Sequence, residues 1–308
     1  MVDGIWQGVG EVIARFADLD PRLLAAAIAF HVANHLLRSL AWRNVLCAAY
    51  PAQRVATAAV VSAYAVGVAL NAVLPARGGD AAKIALVRMR VGGSSVPTIA
   101  STMSVVVLFD LVAATLIVLT VGLGGGLPIS PELPISGAPA WIVAVAVLAS
   151  LALVLARRFG QPLRRLRVQV VQGGAILRSP GRYARRVALV QAGAWGCRIG
   201  VVYCLLAAFG LDATVPHAAL VMILCGASTL VPLTPGGAGT QQVMLAYGLS
   251  QVASAAAIVS FSIGMQAGIT AINALLGVLA GMVAFRTLHP VRAVRSGVRL
   301  TRAGATGG

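Results

Sequence analysis

Charge is what this sequence has least of. Only 10% of its 308 residues are Asp, Glu, Lys or Arg, and none occurs between Ala213 and Phe285. A water-soluble domain of this length needs far more polar surface, so that class is excluded. Lysine occurs once, at Lys83, and the other basic residues are arginine. Cys47, Cys197, Cys204 and Cys225 form no C-x-x-C pair, which argues against a disulfide framework or a paired-thiol metal site. The first twenty residues hold Asp3, Glu11, Asp18 and Asp20, unlike the basic start of a cleavable signal peptide.

Apolar residues fill the space that charge leaves. They make up 59% of the chain. One bilayer crossing takes about 20 residues, so the uncharged stretch 213–285 is too long for one span and fits about three. Backbone groups in hydrocarbon must pair internally, which permits helices or a closed barrel. These runs of Ala, Leu, Val and Gly lack the alternation of barrel strands. The fold class expected is therefore all-α: a polytopic integral membrane protein with about 7–8 transmembrane helices. Spans are expected near 22–42, 55–74, 97–123, 140–156, 187–208 and 216–233, with two more helices over 241–285. Residues 4–17 read as an interfacial helix. This divides the chain into an interfacial segment 1–21, one membrane domain 22–286 and a basic tail 287–308.

The net charge of +16 could suggest nucleic acid, but the arginines lie between the spans, where membrane topology places them. No nucleic-acid partner is expected. Residues 157–186 hold nine arginines and no acid, and the stretch after Phe285 holds Arg286, Arg292, Arg295, Arg299 and Arg302. Residues 124–139 hold Glu132 and no basic residue. The positive-inside rule puts 124–139 outside a cytoplasmic membrane, and 157–186 and the C-terminus in the cytoplasm. If 55–74 spans, the N-terminus is inside. If 55–88 re-enters as a hairpin, the N-terminus is outside, and Arg38, Arg43, Arg54, Arg77, Lys83, Arg88 and Arg90 all gather on the cytoplasmic side.

Two interruptions match. Leu74-Pro-Ala-Arg-Gly-Gly-Asp80 and Val231-Pro-Leu-Thr-Pro-Gly-Gly-Ala238 each end an apolar segment and precede a helix. Asn71 and Thr229 stand just before them. The halves implied are about 22–156 and 187–286, joined by the Arg-rich loop 157–186. Broken helices at matching places in two halves point to a transport site, because their freed backbone groups must be satisfied at membrane depth.

Ionisable residues inside spans are costly and often functional. Asp110 falls near the middle of its span, and Arg198 lies well inside another, so the two could pair. His31, Asn34, His35 and Arg38 share one helical face and could line a polar cavity or simply pack. His31 and His35 alone are too few for a metal, and no metal or cofactor is expected. Arg77 and Lys83 flank Asp80 beside Gly78 and Gly79, where an anionic headgroup would suit a guanidinium and a helix N-terminus. The second interruption offers only neutral groups: Thr234, Gly236, Gly237, Thr240, Gln241 and Gln242.

Three stretches carry a family resemblance: Arg38-Ser-Leu-Ala-Trp42-Arg43-Asn-Val-Leu46, Asn71-Ala-Val-Leu-Pro75-Ala-Arg77-Gly78-Gly79-Asp80, and Pro232-Leu-Thr-Pro235-Gly236-Gly237-Ala-Gly239. Trp195-Gly-Cys-Arg198, Tyr203 and Phe209-Gly210 add a weaker match. Together they resemble the lysylphosphatidylglycerol-synthase transmembrane-region, or flippase-like, family. The resemblance implies a lipid or lipid-linked substrate moved between leaflets, or a membrane partner for a lipid-modifying enzyme. It points to membrane lipids with polar or anionic headgroups as ligands. The site it implies comprises Asn71, Arg77, Gly78, Gly79, Asp80, Lys83, Asp110, Arg198, Thr234, Gly236, Gly237 and Gln242, beside His31, His35 and Arg38 from the helical face. The chain departs from the family in its charges. Val105 to Phe109 replace a Glu-Arg pair common before Asp110, and Gln242 stands where many members have Glu. The family's soluble aminoacyl-transferase domain has no counterpart here, so no catalysis is expected.

Overall fold

The computed structural model describes residues 19–73, 78–123, 163–228 and 239–287. The expected interfacial segment 1–21 falls almost entirely outside them, as do the external segment 124–139, the span 140–156 and the basic tail. Every regular element among the described residues is helical.

α1 (Pro21–Ala49) starts at Asp20, whose carboxylate accepts the Arg22 N–H, with Pro21 in the first turn. α2 (Thr57–Val73) and α3 (Gly78–Arg88) form a helical hairpin. α4 (Val96–Leu123) follows. Beyond it come the amphipathic α5 (Leu163–Gly173) and α6 (Pro180–Ala208), which carries a wide π turn at Ala184–Ala188. α7 (Val215–Ser228) and α8 (Thr240–Gly248) form the second short pair, and α9 (Ala255–Thr287) ends the described chain.

Among the described residues four helices, α1, α4, α6 and α9, are long and apolar enough to cross a membrane. α2 and α7 are apolar but shorter, at 17 and 14 residues. α3 and α8, with 11 and 9 residues, reach only about 17 and 14 Å at 1.5 Å per residue. That is well short of a hydrocarbon core of about 30 Å. The order long helix, shorter helix, shortest helix, long helix thus occurs twice. Equivalent helices begin 158–162 residues apart: Pro21 and Pro180, Thr57 and Val215, Gly78 and Thr240, Val96 and Ala255.

Side-chain register gives each helix its direction. α1 and α6 are antiparallel: Asn44 donates to the Arg186 carbonyl, Leu37 lies against Gly193, and the Phe30 ring lies against Gly200. α1 and α4 are also antiparallel, through Arg38 with Asp110 and Trp42 with Thr102. α4 and α6 are parallel, since Gln191 meets Val106 and Trp195 meets Asp110. α9 runs antiparallel to α2, with Gly277 on Ala69 and Gly281 near Val66. Hence α1 and α9 run one way, and α4 and α6 the other.

Glycine makes the first hairpin possible. A Cβ on Gly79 would fall on the Gly67 carbonyl oxygen, and one on Gly67 would fall on the Lys83 stem. The two backbones therefore touch where any side chain would separate them. Within the stretch read as an Arg-rich loop over 157–186, the described residues 163–186 are largely helical. Gln172 donates to the Ala49 carbonyl, and the Ser101 hydroxyl donates to the Val170 carbonyl. These bonds dock α5 under the ends of α1 and α4. Gly173 closes this contact against Thr98 and Ser101, while Val168, Val170 and Val171 stay exposed.

Candidate functional site

The long helices each place polar residues at mid-height. His35 is the middle residue of the 29-residue α1, and Asp110 is central in the 28-residue α4. Trp195 lies one residue past the middle of α6 and Asn273 two past the middle of α9. A polar cluster therefore crosses the bundle at the depth where water is scarcest.

Arg38 organises it. Its Nη1 donates to Asp110 Oδ1 at 3.0 Å, its Nη2 donates to Asp110 Oδ2, and its Nε donates to the Tyr64 hydroxyl at 2.7 Å. Trp195 Nε1 donates to Asp110 Oδ1 at 2.9 Å. The expected partnership of Asp110 with Arg198 is corrected by this geometry. α1 lies between them in charge terms: its guanidinium takes both carboxylate oxygens in the planar fork that suits them. Arg198 instead sits over the Trp195 ring, 4.8 Å from its centroid, and forms no ion pair among the described residues.

The same polar chain continues into the first hairpin. The Lys83 ammonium lies 4.7 Å above the Tyr64 ring and 2.8 Å from Asp80 Oδ1. Asn71 Nδ2 donates to that oxygen at 3.1 Å. Lys83 is buried at 6% exposure, so its charge depends on that carboxylate and ring. Asn71, Asp80, Lys83, Tyr64, Arg38, Asp110, Trp195 and Arg198 thus form one connected series from the hairpin to α6.

A second branch joins α1 to α9. His31 Nε2 and His35 Nε2 each lie 2.8 Å from Asn273 Oδ1 and 3.0 Å from one another. Each imidazole nitrogen carries either a proton or a lone pair. All three contacts therefore cannot be hydrogen bonds together. His35 Nδ1 and Asn34 Oδ1 are buried without a partner among the described residues. The face predicted from spacing is thus turned inward. No third His, Cys, Asp or Glu joins the two histidines among the described residues.

In the second pair of short helices, α8 supplies neutral polar groups. Gly239 has φ +88°, which favours glycine, and its N–H donates to Gln242 Oε1 at 2.6 Å. Gln242 Nε2 donates to Gln266 Oε1. Gly78 and Gly79 open α3 beside the cluster. Arg77, Thr234, Gly236 and Gly237 lie outside the described residues. Sequence reasoning did not single out Tyr64 or Asn273, and used Trp195 only as a weak motif match. Tyr64 and Asn273 could have been noticed as isolated polar groups within apolar helices, a signal that many packing residues also give.

The family that the motifs resembled is the one that the comparison finds. The model of the lysylphosphatidylglycerol synthase TM region matches residues 4–277. The chain belongs to that family. No curated protein and no solved structure matches the chain. Within the lysylphosphatidylglycerol synthase TM-region family, this member is a helical membrane protein in which most of the described charges inside the bundle lie in the first half. Asp80, Lys83, Arg38 and Asp110 all precede residue 124, whereas Arg198 is the one interior charge described in the second half.

Proposed function

We propose that this protein moves a lipid with a polar or anionic headgroup between the leaflets of the cytoplasmic membrane. The observation that carries this reading is the connected polar series at mid-height, running from Asp80 to Arg198 between two sets of helices. Buried ion pairs contribute little net stability over apolar packing, so their concentration at this depth favours a role in handling polar cargo. Charges at the interface of two similar helical sets resemble the site plan of transporters built from repeats.

The directions of the helices support an orientation. Arg43, Arg54, Arg88, Arg90 and the arginines of 167–186 cluster at one end of the bundle, where α1 ends and where α4 and α6 begin. The positive-inside rule makes that end cytoplasmic. The α2–α3 hairpin then enters from the cytoplasm and α7–α8 from outside, with the C-terminus inside. The two halves become an inverted repeat around the polar cluster. In this reading the protein is a transporter and performs no catalysis.

Transport is tested by placing the purified protein alone in vesicles and following a fluorescently labelled anionic lipid between leaflets. Flux above protein-free vesicles supports the reading. A second reading, an accessory scaffold for a lipid-modifying membrane enzyme, draws on the neutral Gln242–Gln266 contact in the second half. It requires no flux and co-purification with such an enzyme.

A further inference from the structure

The surface between α1, α2 and α9 is recessed into a cavity of about 320 Å³. Val32, Leu36, Val61, Leu276 and Leu279 form its apolar walls, and His35 and Tyr64 close one end. That end belongs to the polar cluster: Tyr64 accepts the Arg38 Nε hydrogen bond, and His35 contacts Asn273. The Ser39 and Ser62 hydroxyls also line the cavity, but both are spent on backbone carbonyls one turn earlier. The cavity is therefore apolar along its length and polar at its head.

Its position is specific. Its lining follows α1 from Val32 to Ser39, α2 from Ala58 to Ala65 and α9 from Leu276 to Val283. These are the middle and later part of α1, the beginning of α2 and the later part of α9. With the orientation proposed above, the cavity runs from mid-membrane into the cytoplasmic half. Its lining residues Leu36, Leu279 and Val283 are exposed on the apolar outer surface of the bundle, so the cavity is open on that side. It also lies on a seam, since α1 and α2 belong to the first helical set and α9 to the second.

We infer that this recess is an acyl-chain site: it holds one hydrocarbon chain of a lipid whose headgroup rests on the cluster at His35 and Tyr64. Ligand pockets span about 300–1,000 Å³, so this volume suits one chain and not a whole two-chain lipid. A second chain would remain in the bilayer through the lateral opening. A metal ion is a poorer occupant of the polar end. Arg38, Lys83 and Arg198 are all cations close to the two histidines, and among the described residues no carboxylate joins them as a ligand. The assignment rests on lipid being the cargo, and it adds where that lipid's chain lies and from which leaflet it enters.

The probe is a phosphatidylglycerol analogue with a photoreactive diazirine at the end of one acyl chain, incorporated in phosphatidylcholine vesicles with the full-length protein. Illumination and peptide mapping should place adducts on 32–39, 58–65 and 276–283. Excess unlabelled phosphatidylglycerol should suppress them by about tenfold, which bulk boundary lipid would not show. Ala280→Trp fills the cavity from α9 and Ala58→Trp fills it from α2. Each should remove these adducts and slow lipid translocation by about tenfold, or 1.4 kcal/mol in the barrier. Leu119→Trp, on an outward position of α4 that is 52% exposed, should do neither. Labelling that cannot be competed overturns the inference, as does labelling that persists in both folded tryptophan variants. If both variants misfold, competition in the wild-type protein decides alone. Competable, cavity-confined labelling without flux would uphold the chain site and overturn the transport reading. Flux without such labelling would do the reverse.

Discussion

Arg38 holds Asp110 by both guanidinium Nη atoms from the facing helix, and Trp195 reaches the same carboxylate from a third helix. One carboxylate thus ties α1, α4 and α6 at mid-height. Removing either charge strands the other in a region with little water. Arg38→Met and Asp110→Leu should each lower stability by about 3 kcal/mol or more, while the double variant should recover most of it. Thermal unfolding in detergent measures this. Lipid flux should stay low in the double variant. Full flux there would mean that the pair serves packing alone.

The hairpin makes a sharper steric prediction. Gly79→Ala should destabilise by about 1–3 kcal/mol, because its Cβ meets Gly67 backbone that cannot move aside cheaply. Gly181→Ala has nothing within 4 Å of the added Cβ and should be neutral or slightly stabilising. Equal melting temperatures for the two variants would refute the close approach of α2 and α3.

Topology can be read by cysteine labelling after Cys47, Cys197, Cys204 and Cys225 are replaced by serine. Ser136→Cys should react with an impermeant reagent added to intact cells. Ser179→Cys, between α5 and α6, should react only after the membrane is opened. The reverse pattern would invert the proposed orientation and move the acyl-chain site to the other leaflet.

Arg198 and Arg167 separate site charge from anchoring charge. Arg167 is exposed on α5 among other arginines, where one headgroup contact contributes on the order of 1 kcal/mol. Arg198 lies over Trp195 inside the bundle. Arg198→Ala should reduce flux by about tenfold with expression and melting temperature retained, while Arg167→Ala should change it less than about threefold. Arg198→Lys should restore only part of the loss, since an ammonium lacks the planar fork. Wild-type flux in a folded Arg198→Ala protein would remove this residue from the site.

The amino-acid order by itself determined the solvent this protein lives in, its helical class, the places where helices break and the family it belongs to. These follow from local quantities: apolar length, the placement of arginine and short Pro/Gly motifs. It also marked one polar face of α1, because a helical period reports which residues share a side. It could not report what that side meets. Asp110 and Arg198 looked like partners by depth, yet Arg38, 72 residues from Asp110 in sequence, makes the pair. Asn273 reaches His31 across 242 residues, and no local pattern ties them together. Nor does any pattern show that Gly67 and Gly79 touch, or that α1, α2 and α9 leave a recess between them. Those features were decided by the tertiary structure, because helix direction and register choose which side chains face one another, and a one-residue step turns a helical side chain by about 100°.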